Sequence, residues 1–231
     1  MSDRVVALVE VVLCSDYPTQ LLLGGAFAWL GLGPTASGDG LTLGYVMLLS
    51  FTDSALLLSL IVLLLRARGE SPWHVFFGTR RVSQEAGAGL LLVPGALALA
   101  FLVLLLVQAF APWLHTVSEN PLQALMRSSR DVWLFATVVV VAGGVREELQ
   151  RAFLLHRFET SLGGRTTGIV VTSVVFGAGH ALQGLDAALA TGALGAYWAV
   201  IYYRRRSAVA PIVSHAGFNL LEIAQFLALG R

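Results

Sequence analysis

Lysine is missing from this chain: all fifteen basic residues are arginine. Charge is scarce altogether, at 13% of the residues against 56% hydrophobic. Soluble domains carry about 25% charged residues, so a soluble protein of this length would have nowhere to hide its apolar surface, whereas a bilayer would. With a net charge of +1 there is no basic field to hold phosphates, which excludes a nucleic-acid partner. Cysteine is nearly absent. The one thiol, Cys14, excludes an internal disulfide and any zinc-finger spacing. It reads as an ordinary buried or interfacial group, because Val12-Leu13-Cys14 lacks the small residues of a lipoprotein signal. Met1 to Ser15 does not read as a signal peptide: Glu10 interrupts its apolar run and no small-residue cleavage site follows. No long hydrophilic stretch divides the sequence, so residues 1–231 are expected to form one integral membrane domain.

What the sequence has is long apolar runs. A helical span needs about 20 mostly apolar residues. Run length and flanking charge predict spans at 5–33, 41–65, 86–113, 131–156, 167–182, 185–203 and 208–229. The expected fold class is all-α, a polytopic membrane helix bundle of about seven transmembrane helices, with Pro18 kinking the first. Arg66, Arg68, Arg80, Arg81, Arg157, Arg165 and Arg204 to Arg206 fall in loops that seven spans place on one side. The excess of positive charge assigns that side, and the N-terminus with it, to the cytoplasm; the expected location is the bacterial cytoplasmic membrane. Segment 70–81 reads as interfacial, with Trp73, Phe76 and Phe77 at headgroup depth.

Ionisable groups inside spans are costly and mark function by default. Three such places occur within residues 131–229. Adjacent Glu147 and Glu148 diverge by about 100° around a helix, so one can face a cavity while the other faces a neighbour. Arg151 follows Glu147 by four residues and can lie beside it. In the next span Phe176 and His180 share a face, with Gly177 and Gly179 allowing a close approach. In the last, His215 and Asn219 lie one above the other. Together these make an acid/base set: a carboxylate can take a proton from water, and His and Asn can donate to an oxyanion. Glu147, His180 and His215 are also the residues that a zinc ion would use, with one position left for water. Asp53, near the middle of the second span, pairs with another helix or lines the cavity. Glu222 shares roughly the His215 face, and His156 is expected at the interface.

These residues resemble the CAAX prenyl endopeptidases and their bacterial relatives, the CAAX protease and bacteriocin-processing family. The family pattern is Glu-Glu followed by Arg, then Phe-x-x-x-His, then His-x-x-x-Asn. It appears here as Glu147-Glu148 with Arg151, Phe176 to His180, and His215 to Asn219, over roughly 140–221. One spacing departs from it: two residues separate Glu148 from Arg151 where the family has three, so that Ala152 stands at the usual arginine position if register is kept from Glu147. A slip by one would give Glu148 the first role; the unchanged interval to His180 favours Glu147. The resemblance implies an endopeptidase cutting near the C-terminus of a membrane-tethered protein or peptide, in a site open to the cytoplasmic side. Glu147 with His180 would activate water, His215 and Asn219 would hold the oxyanion, and Glu148, Arg151 and Phe176 would support them. No His-Glu-x-x-His pair is present; the expectation is a glutamate mechanism without a cofactor, with zinc as the alternative. A second reading is a non-catalytic immunity or assembly factor that retains the fold. A proton-coupled transporter is a third, weakened by the lack of an internal repeat.

Overall fold

The computed structural model describes residues 2–35, 41–118 and 120–229. The described residues form α1 (Asp3–Leu13), α2 (Tyr17–Trp29), α3 (Leu43–Ala67), α4 (Pro72–Phe77), α5 (Val82–Phe110), α6 (Ser129–Val138), a π-helical turn (Val139–Arg146), α7 (Glu147–Ser161), α8 (Gly164–Gly179), α9 (Leu185–Arg205) and α10 (Val209–Leu229). The architecture is all-helical. Inside a bilayer the backbone must satisfy its own hydrogen bonds, which helices do within one segment. Side chains set the ends. Thr42 accepts from the Tyr45 N–H and Ser128 from the Asp131 N–H, so each caps the helix that follows it.

The passes alternate between two ends. At one end Asp3 meets Arg68 at 2.6 Å and Ser161 at 2.9 Å, which gathers the start of α1 and the ends of α3 and α7. Glu85 meets Arg205 there at 2.6 Å, and Phe76 of α4 accepts from the Ala208 N–H before α10. At the other end His115 meets Asp186 at 2.7 Å and Asn120 donates to Gln183, joining the α5–α6 connection to the turn before α9. The arginine-rich segments all lie at the first end. One of its ion-pair groups is buried: Arg157, wholly enclosed, sits 2.5 Å from Glu10 and 2.6 Å from Glu70.

Four helices, α3, α5, α9 and α10, are long and apolar enough to cross a membrane, and the α1–α2 pair, bent by 44°, makes a fifth if taken as one span. This is fewer than the seven spans expected. The expected fourth span is the α6–π–α7 run, whose middle is crowded with Arg146, Glu147, Glu148 and Arg151, and the fifth is α8, with only 16 residues. The break in the first expected span falls at 14–16, and Pro18 stands in the first turn of α2, where a missing N–H costs nothing. Segment 70–81 also differs in one residue. Trp73 is exposed and packs on Phe77, but Phe76 turns inward, buried in the largest core cluster beside Leu65 and Tyr202.

That cluster, with Leu57, Ile61 and Phe153, fills the arginine-rich end; a smaller one, around Leu125, Phe135 and Ile223, lies towards the other. Large apolar side chains on α5 such as Leu91 and Phe101 point outwards. Lipid solvates them as well as a core would, so close packing rather than transfer from water holds such helices together. Gly177 supplies the clearest case. A Cβ there would stand 2.6 Å from the Ala188 carbonyl oxygen, so only glycine lets α9 lie this close to α8.

Candidate active site

The π-helical turn ends at Arg146, immediately before Glu147. Such turns carry one residue more per turn than an α-helix and recur at functional sites. Gly143 and Gly144 give it a bare surface, and α10 lies against it. A Cβ on Gly144 would be 2.8 Å from the Ala216 Cβ, and one on Gly143 would be 2.8 Å from Asn219 Nδ2. The close fit sets His215 and Asn219 beside the two glutamates. Asn219 Nδ2 donates to the Val139 carbonyl of the same turn at 3.4 Å.

The adjacent carboxylates part company. Glu148 is buried and accepts from Arg151 and from His215 Nδ1, the latter at 2.8 Å. Arg151 therefore pairs with Glu148 three residues back, not with Glu147 four back, because Glu148 is the carboxylate turned into the bundle. The Arg151 guanidinium also lies 4.3 Å over the Phe176 ring. Phe176 in turn meets His180 edge-on at 4.8 Å and His215 at 6.1 Å. Glu148, Arg151 and Phe176 thus form one continuous support behind the two histidines. Glu147, by contrast, reaches a cavity. Its carboxylate lies 3.7 Å from Arg146 and 3.9 Å from His215 Nε2.

His180 stands just past the last turn of α8. There its own N–H bonds to Gly177, three residues back, which leaves the Phe176 carbonyl without its usual partner. His180 Nδ1 fills that place at 2.9 Å. A carbonyl can only accept, which assigns the proton to Nδ1 and leaves Nε2 as the lone-pair nitrogen of the neutral ring.

Glu147, His180, His215 and Asn219 all line one cavity of about 460 Å³. A second cavity, about 300 Å³, shares Arg146, Glu147, His180 and Gln183 with it and is bounded elsewhere by Tyr17 and Phe176. Among the described residues, no group of three or more His, Cys, Asp and Glu side chains is arranged to hold a metal ion, Glu147, His180 and His215 included.

Sequence reasoning missed several neighbours. Trp198 stacks on His215 at 3.8 Å and 16°, anchored by its own bond to Ser214. Arg146 is a hub, 2.9 Å from Asp16, 3.0 Å from Gln150 and 3.9 Å from Asp53. Asp53 is thereby a cross-helix partner, fully buried. Gln150 also donates to the Cys14 carbonyl, so the break between α1 and α2 is tied to the π-helical turn through Asp16 and to α7 through Cys14. The third charge next to the glutamate pair was the available signal for Arg146; nothing local marked Trp198. Glu222 lines the larger cavity, and His156 sits apart, 3.2 Å from Glu70.

No curated protein and no solved structure matches the chain. Residues 128–221, which run from the cap of α6 past Asn219 and hold all three motifs, match the family model described as type II CAAX prenyl endopeptidase, Rce1-like, the same family that the motifs resemble.

Proposed function

We propose that the protein is an intramembrane endopeptidase that hydrolyses a peptide bond in a membrane-associated protein or peptide. The observation that carries this is the meeting of Glu147, His180, His215 and Asn219 on one cavity wall. Glu147 takes a proton from a water held with the His180 lone pair, and the hydroxide forms a bond to the scissile carbonyl carbon. The oxyanion accepts from Asn219, whose amide makes one hydrogen bond among the described residues and has a second hydrogen to give, and from His215 Nε2 when that ring carries a proton there. Breakdown of the tetrahedral carbon breaks the C–N bond, and the leaving amine takes the proton from Glu147. Glu148, Arg151, Phe176 and Trp198 hold the imidazoles in place. The alternation of helix direction along the chain supports a membrane passage for α8 and the α6–α7 run as well as for the longer helices, with the arginine-rich end in the cytoplasm.

The test is incubation of purified protein with a mixed set of membrane-anchored peptides, read by mass spectrometry, beside a Glu147→Gln variant. Loss of one positioned acid/base group costs about 10²–10⁴-fold in rate. Equal cleavage by both proteins would remove Glu147 from the mechanism.

A further inference from the structure

Glu147 and His180 line both cavities. An extended peptide whose scissile bond meets them therefore has one flank in each. The flank in the larger cavity passes α10, where His215, Asn219 and Glu222 follow each other at steps of four and three residues and so share one stripe. All three line that cavity.

Glu222 is a carboxylate that the proposed reaction does not use. The charged side chains in the lining of the larger cavity are Arg146, Glu147 and Glu222. The Arg146 guanidinium is already committed, 2.9 Å from Asp16, 3.0 Å from Gln150 and 3.7 Å from Glu147. On α10 the ion pairs belong to His215; among the described residues Glu222 has none, and it is exposed. An ionisable side chain inside a span is costly, and it is retained where it meets an opposite charge or lines a water-filled path. Within the described protein Glu222 meets no cation, which leaves the occupant of the cavity to bring one.

We infer that Glu222 selects substrates with a lysine or arginine about two residues from the scissile bond, on the flank that lies in the larger cavity. The inference rests on the endopeptidase reading. Three residues along an α-helix rise about 4.5 Å, and an extended peptide advances about 3.3 Å per residue. With the scissile carbonyl at Asn219, the side chain that reaches Glu222 belongs to about the second residue out. A long basic side chain suits the place. Its stem lies on apolar lining such as Phe135 and Ile223 while its charged head meets the carboxylate. An acidic residue there meets a like charge.

The test walks a single lysine through an otherwise neutral membrane-anchored peptide. Norleucine, of similar length and without charge, replaces it in the reference peptides. Cleavage by the detergent-purified protein is read by mass spectrometry as kcat/KM. A hydrogen bond to a charged group is worth a factor of about 10 to 100, so lysine should be preferred by that factor at one position, about two residues from the cut and on one side of it. Glu222→Gln should bring the ratio close to one, and Glu222→Arg should turn the preference towards a glutamate peptide. Should Glu222→Arg fail to insert, Glu222→Gln decides alone. Equal cleavage of lysine and norleucine peptides by the wild type, or a lysine preference that survives in Glu222→Gln, would overturn the proposal. The same peptides, fluorescently labelled, are titrated against Glu147→Gln and Glu147→Gln/Glu222→Gln proteins, which needs no turnover. Lysine-selective binding that is lost with Glu222, without cleavage by the wild type, would refute the protease reading and uphold the selection by Glu222. Binding that does not distinguish lysine from norleucine would overturn that selection whatever the cleavage.

Discussion

The approach of α10 to the π-helical turn can be broken by one methyl group. In Gly144→Ala the new Cβ would stand 2.8 Å from the Ala216 Cβ, where ordinary contact begins at 3.4 Å, so α10 must retreat by about 0.6 Å or more. His215 precedes Ala216 by one residue and Asn219 follows it by three, so both travel with α10 while Glu147 stays on α7. Stability changes little. Alanine gains about 1 kcal/mol over glycine in a helix, and overpacking costs about 1–3 kcal/mol, which leaves a net cost of about 0–2 kcal/mol. Activity does not escape so lightly, because misplacing a catalytic group by about 1 Å costs on the order of 100-fold in rate, or about 2.7 kcal/mol of activation free energy. The assay is kcat on a peptide that the wild type cleaves, with the melting temperature of the same detergent-purified sample. A fall of about 30- to 100-fold in kcat with a shift of a few degrees is expected. Adding Ala216→Gly removes the opposing methyl and should restore about tenfold of that loss, a coupling of about 1.4 kcal/mol. Wild-type cleavage by Gly144→Ala, or no recovery in the double variant, would show that this contact does not set the geometry.

Three further outcomes follow from the buried charges. Glu148→Gln leaves the Arg151 guanidinium, 4% exposed, without its counter-charge. Breaking a buried pair costs about 3–5 kcal/mol, so here the melting temperature and kcat should fall together, unlike in Gly144→Ala. Arg157→Met leaves Glu10 with Arg68 alone and Glu70 with His156 alone, and removing this buried cation should destabilise by about 3–5 kcal/mol or less; adding Glu10→Leu should recover part of it by thermal unfolding. Glu159 lies beyond the expected fourth span, and its hydrogen bond from Arg206, followed by that from Arg165, lowers its carboxyl from 4.5 to about 2. A carboxyl depressed in the folded state stabilises above its unfolded value, so that stabilisation is complete above about pH 4.5 and fades as pH falls towards 2. Glu159→Gln should lower the melting temperature at pH 7 and leave it nearly unchanged at pH 2; an equal drop at both would refute the assignment.

Apolar run length and flanking charge located the long helices, since α3, α5, α9 and α10 each sit within a few residues of an expected span. It could not locate the break at Cys14–Asp16. Proline advertises a kink, but Pro18 fits the first turn of α2, and what holds the bend is Arg146 and Gln150, 130 and 136 residues from their partners. The apolar run before Arg146 also hides the π-helical turn: Gly143 and Gly144 permit the close contact with α10, but nothing in their spacing marks the extra residue. The same is true of Arg151. Helical spacing put Arg151 beside Glu147, four residues back, and the structure pairs it with Glu148, three back, because Glu148 is the carboxylate turned towards His215.

That choice explains the displaced arginine. The family spacing puts an arginine one position later, where Ala152 is wholly buried among Phe153 and Leu155. A guanidinium from position 152 would enter that apolar cluster, about 100° around the helix from Arg151. From position 151 it reaches Glu148 on its own helix and the face of Phe176 on the next, two partners that together neutralise and cover it. Were the arginine moved, in an Arg151→Ala/Ala152→Arg exchange, Glu148 would keep His215 but lose its buried cation, and the core beside Leu65 would receive an unpaired one. About 3–5 kcal/mol for the broken pair alone is enough to unfold a marginal protein, so this site and the local packing around it specify the shorter spacing together.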